Sequence, residues 1–133
     1  MIQAMGLDAA ALEQAAATAA AQGGARLVVL FGSAARGEAR ARDLDIGILA
    51  AAPIDAVAAT NTLTRELHRQ AVDVTDLRRA DPVLLALVAR DGIPLYEQAP
   101  GEFARFVSVA MRRFADTQKF RNFAARSGSA EAP

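Results

Sequence analysis

Apolar positions along this chain follow two periods, and the switches between them mark out the elements. Residues 26–31 (Arg-Leu-Val-Val-Leu-Phe) form a short β-branched run that predicts a buried strand. Residues 44–49 alternate, with Leu44, Ile46 and Ile48 on one face and Asp43, Asp45, Gly47 and Leu49 on the other. A third strand is predicted over 71–77 and a short edge strand over 93–97. Elsewhere the spacing lengthens to that of helices. Asp8 is placed to cap an alanine-rich helix that stops at Gly23-Gly24. Pro53 leads into a helix over 55–70 with Val57, Leu63 and Leu67 as buried positions. Asp81-Pro82 supplies a cap followed by proline at the first helical position, opening a helix that ends near Gly92. From Gly101 a long helix carries Phe103, Phe106, Val107, Ala110 and Phe114 at i, i+3, i+4, i+7 and i+11. Residues 127–133 are expected to be a disordered tail, leaving one domain over 1–126 with no internal repeat.

Composition narrows the function. The chain has 133 residues and is 53% hydrophobic but only 5% aromatic, so alanine supplies much of the apolar count. Fifteen Lys and Arg balance fifteen Asp and Glu. A zero net charge argues against binding nucleic acid through bulk electrostatics, and no direct nucleic-acid binding is expected. The absence of cysteine excludes disulfides, zinc thiolates and cysteine nucleophiles. The alanine-rich start lacks a basic segment and carries Asp8 and Glu13, unlike a secretory signal. No run approaches the roughly 20 apolar residues of a spanning helix, so a cytoplasmic location without membrane association is expected.

Polar residues at the strand ends carry the chemistry. Gly32-Ser33 follows the first strand and opens a short helical turn, where backbone N–H groups and the serine can cradle phosphate. Asp43 and Asp45, at i and i+2, point the same way from the second strand. Asp73, flanked by Val72 and Val74, would bring a third carboxylate from the next strand, and Gly47 would leave space beside them for a ligand. Three carboxylates suit Mg²⁺, a hard cation, and two such ions stabilise both the attacking and the leaving oxygen in nucleotidyl transfer. Asp43, Asp45 and Asp73 are therefore the expected metal ligands. Asp73 is placed to take the acceptor's proton, and Arg36 to steady a triphosphate, with Arg40 and Arg42 as weaker candidates. The bland alternative is a turn aspartate, a surface strand residue and a solvated face.

The stretch Leu30-Phe31-Gly32-Ser33-Ala34-Ala35-Arg36-Gly37-Glu38-Ala39-Arg40, followed by Asp43-Leu44-Asp45-Ile46, resembles the minimal nucleotidyltransferase (MNT) family of the DNA polymerase β superfamily. Val72-Asp73-Val74-Thr75-Asp76-Leu77 is similar to its third-carboxylate strand, and Leu95-Tyr96-Glu97 to its short closing strand. The loop from Ser33 to Asp43 is one residue shorter than is common there. The resemblance implies an α/β (α+β) fold, with a mixed sheet of three to four strands flanked by helices and a long C-terminal helix. It implies ATP as substrate, two Mg²⁺ ions, phosphate binding by Gly32 and Ser33, and a metal triad of Asp43, Asp45 and Asp73. It also implies an antitoxin partnered with a HEPN-family RNase toxin, onto a tyrosine hydroxyl of which AMP is moved. A non-catalytic antitoxin that neutralises by contact, and a small-molecule (aminoglycoside-type) nucleotidyltransferase, stand as alternatives.

Phe120 and Phe123 fall out of phase with the phenylalanine stripe and sit among Arg112, Arg113, Lys119, Arg121 and Arg126, a makeup that suits a protein interface. His68 is expected to be exposed, Asp76 to lie outside the site, and Tyr96 to pack in the core.

Overall fold

The computed structural model describes residues 8–38, 41–69 and 71–128, with side chains for all of these except 120, 121 and 123–128. Arg40, most of the expected tail, and the side chains of Phe120 and Phe123 thus lie outside the described residues. Helix α1 spans Ala9–Gly23 and strand β1 Ala25–Phe31. The short α2, Gly32–Ala35, is followed by β2, Leu44–Ala50, and α3, Ala56–Leu67. Strand β3, Val72–Asp76, ends in a 3₁₀ turn, Leu77–Arg79. Helix α4, Pro82–Asp91, strand β4, Ile93–Glu97, and helix α5, Glu102–Gly128, complete the order.

Three helices start where aspartate caps them. Asp8 accepts from the Ala11 N–H at 2.6 Å, Asp55 from Ala58 at 3.0 Å and Asp81 from Leu84 at 2.9 Å. Each satisfies a first-turn donor that has no intrahelical partner. The sheet order is β3-β2-β1-β4. β1 pairs antiparallel with both β2 and β4, whereas β2 and β3 run parallel, with α3 as the crossover that parallel pairing requires. The sheet is mixed, as expected.

Strand alternation sends each face to its own core. Val28, Leu30, Leu44, Ile46, Ile48 and Val72 face α1 and α3, which contribute Leu12, the buried alanines, Leu63 and Leu67. Leu27, Val29 and Leu77 face α4 and α5, against Leu85, Val88, Phe106 and Ala110. Phe103, Phe106, Val107 and Ala110 of the expected α5 stripe pack in the second core, whereas Phe114 is half-buried and outside it, and Tyr96 packs against the first core. Val57 is not buried, as the sequence suggested, but 71% exposed. It lies six residues before Leu63, about 120° away around the helix, and Ala59 takes the inward position instead.

Candidate active site

Sheet register brings three of the expected residues, Gly32, Asp45 and Asp73, to one place. In the parallel ladder Asp45 of β2 lies directly opposite Asp73 of β3, and in the antiparallel ladder it lies opposite Phe31 of β1. Gly32, the next residue after Phe31, therefore abuts the Asp45 side chain. Its φ of +75° is in the left-handed region, and a Cβ there would overlap Asp45 Oδ2. Glycine is required twice over, by conformation and by proximity. Asp43 stands one residue before β2 and is exposed, as is Asp73, whose strand is a sheet edge.

α2 starts from this same point. Phe31, its N-cap residue, supplies no side-chain hydrogen bond, so the first turn keeps N–H groups that a phosphate can use. Ala34 and Ala35 are buried, which fixes the turn to the body and leaves Ser33 half-buried at its start.

Asp73 and Asp43 stand near enough to Asp45 for their charges to act on it. Burial pushes the Asp45 carboxyl above its ordinary range, and the charges of Asp73 and then Asp43 push it the same way, while Arg36 opposes them. Among the described residues, no three acidic or histidine side chains stand close enough to enclose a metal ion as they are. Asp43 and Asp73 are exposed, however, and rotamer changes at such positions are fast. A hard-oxygen donor set whose mutual repulsion a cation would relieve fits Mg²⁺.

Arg36 does not stand free beside this cluster. Its Nε donates to Glu38 Oε2 at 2.8 Å, and its Nη1 lies 3.8 Å from Asp91 Oδ2. Asp91 and Glu38 are the residues that sequence reasoning missed. Asp91 ends α4, where the helix dipole disfavours a carboxylate; that mismatch was a readable signal. Two hydrogen bonds from Arg90 hold its carboxyl below the ordinary range, and the charge of Arg36 adds to this. The pair ties α2 to the end of α4. Asp76 lies outside the site, accepting instead from the backbone of Ile54 and Arg78.

The space expected beside Gly47 does not exist for a ligand. Leu77, brought round by the 3₁₀ turn, fills it: a Cβ on Gly47 would lie 2.8 Å from Leu77 Cδ2. Gly47→Ala is therefore expected to lower stability by about 1–3 kcal/mol through overpacking. Nucleotide affinity per folded molecule should stay unchanged, as a denaturant melt and a binding titration on the same sample would report.

Residues 13–100 match the family described as polymerase beta, nucleotidyltransferase. The chain belongs to that family. Gly32, Ser33, Arg36, Asp43, Asp45 and Asp73 fall within the matched span, whereas α5 falls beyond it. Solved structures with the same fold include a toxin–antitoxin crystallised with AMP-PNP, at TM-score 0.72 and 25% identity over 86% of this chain and 96% of that one. Another is a tri-AMPylated HEPN toxin from Shewanella oneidensis in complex with its MNT antitoxin, at TM-score 0.70 and 23% identity over 90% and 98%. A third is the toxin–antitoxin MntA-HepT, at TM-score 0.67 and 24% identity over 87% and 95%. The last two, under 25% identical, speak for the fold of this nucleotidyltransferase. No curated protein sequence matches it. No helix among the described residues is long and apolar enough to cross a membrane.

Proposed function

We propose that the protein is the antitoxin of a toxin–antitoxin pair, and that it neutralises a HEPN RNase toxin by moving AMP from ATP to a tyrosine hydroxyl on it. The observation that carries this reading is the register that sets Asp45 against Asp73, with Gly32 closed over Asp45 at the start of α2. Family membership and the fold shared with an AMP-PNP-bound toxin–antitoxin support it, as does the fold shared with an AMPylated-toxin complex.

The N–H groups of α2 and the Ser33 hydroxyl hold the β and γ phosphates, and Arg36, steadied by Asp91, offsets their charge. Asp43, Asp45 and Asp73 would hold Mg²⁺, which when bound neutralises charge on the phosphates and on the incoming hydroxyl. The tyrosine oxygen forms a bond to the α-phosphorus as the bond from that phosphorus to the bridging oxygen breaks. Pyrophosphate leaves, and the hydroxyl proton passes to Asp73. Nothing in this chain needs to enclose the acceptor, which suits an acceptor that is itself a folded protein. The whole reaction belongs in the cytoplasm, with the domain over residues 1–126 as its unit.

The test is direct. Purified protein, α-labelled ATP, Mg²⁺ and the HEPN toxin should give label on the toxin. Asp43→Asn or chelation of Mg²⁺ should reduce that labelling at least about a hundredfold. An unlabelled toxin with the unaltered protein would overturn the reading. Neutralisation that survives Asp43→Asn combined with Asp73→Asn would make the protein a binding antitoxin instead.

A further inference from the structure

The helices of the second sheet face leave a cleft of about 200 Å³. Its floor is apolar, built from Leu49 of β2, Leu77 of the 3₁₀ turn, Leu85 of α4 and Phe106 of α5. Its rim is basic: Arg26, Arg78, Arg105 and Arg113 stand around a single acid, Glu102. That carboxylate is buried and already shared, accepting from Arg26 at 3.1 Å and from Arg105 at 3.3 Å. Arg78 and Arg113 are exposed and make no ion pair among the described residues.

Size and charge together select the occupant. Small-molecule sites usually have about 300–1,000 Å³, so this cleft suits one anchoring side chain better than a nucleotide. The apolar floor favours an aliphatic or aromatic anchor, and two unpaired guanidiniums beside a desolvating surface favour a carboxylate next to it. The cleft lies on the same sheet face as the carboxylates. Leu49 is four residues beyond Asp45 on that face of β2, or about 13 Å, which is roughly the reach of four extended residues.

We propose that this cleft docks an acidic segment of the acceptor protein through one apolar side chain and a neighbouring Asp or Glu, about four residues from the hydroxyl to be modified. The proposal rests on the reading above that the acceptor is a partner protein. Arg78 and Arg113 then set which segment is presented, without taking part in the chemistry.

The double variant Arg78→Glu/Arg113→Glu tests it against the HEPN toxin. Its complex should be at least about tenfold weaker, with the salt dependence of binding reduced and KM for the toxin raised. Affinity for AMP-PNP and the melting temperature should stay at their original values. Arg78→Gln/Arg113→Gln should fall between the two. Toxin affinity and KM within twofold of the unaltered protein would overturn the docking site while leaving toxin labelling intact. A variant that also lost AMP-PNP binding or melted lower would overturn it too, by making the arginines structural. Failure of the unaltered protein to bind or label the toxin would remove the proposed function itself, and the docking site with it.

Discussion

Asp45→Asn is expected to make the protein more stable and at the same time inactive. Asp45 sits half-buried opposite Asp73, and burial and then the charges of Asp73 and Asp43 raise its carboxyl above the ordinary range. A group whose folded value is raised binds protons more tightly in the folded state than in the unfolded one. Folding is therefore favoured as pH falls, and the ionised carboxylate is a destabilising charge at neutral pH. That penalty is fully present above the raised folded value and disappears as pH falls to the ordinary carboxylate range. Asparagine removes the charge while keeping the shape that fits against Gly32. After allowance for solvent screening the gain is on the order of 0.5–1 kcal/mol, or a rise of about 2–4 °C in Tm. Mg²⁺ should raise the Tm of the unaltered protein by binding the folded state alone, and should do little for the variant. Thermal melts at neutral pH with and without Mg²⁺, beside the labelling assay, read all of this. A variant that melts lower than the original in the absence of Mg²⁺ would contradict the assignment of Asp45 as a repelled carboxylate.

The second large effect belongs to Gly32→Ala, which should lower both stability and nucleotide affinity. Two separate penalties act. The φ of +75° is unfavourable for any residue with a Cβ, by about 1–2 kcal/mol, and the new methyl would overlap the Asp45 carboxylate. A total loss of about 2–4 kcal/mol is expected. Relief of the overlap must rotate Asp45 or shift the start of α2, so AMP-PNP binding should weaken at least about tenfold. Asp45→Ala removes the overlapped oxygen, so the two substitutions should be coupled by about 1 kcal/mol or more in a double-mutant cycle. Strict additivity would mean that the two residues do not touch in solution, contrary to the geometry described here.

Much of this was legible locally. Asp8 and Asp81 announced helix starts because a cap acts within three residues, and the alternation in Leu44-Asp45-Ile46 named the buried face of β2 before any fold was known. Asp43 and Asp45 follow from the same two-residue period. The misreadings concern partners that are distant in sequence. Gly47 looks like room for a ligand until Leu77 is known to turn back onto it. Val57 looks like core until the position of Leu63 fixes which side of α3 faces inward. The second partner of Arg36, Asp91, is likewise invisible locally because it arrives with a different helix. Asp73 could be named from its apolar neighbours, but its exact partner follows from strand register alone.

The central place of β1 in the sheet bears on how the chain matures during synthesis. β1 is made early, yet one of its two neighbours is β4, and Arg26 at its start waits for Glu102, 76 residues further along. Asp43, Asp45 and Asp73 and the strands that carry them have all been made by Asp76, whereas the helices that cover Leu27 and Val29 follow later. A nascent chain halted between those points would carry the three aspartates beside an uncovered apolar surface, prone to association. Ribosomal delivery of α4 and α5 is thus the step that covers the second face of the sheet.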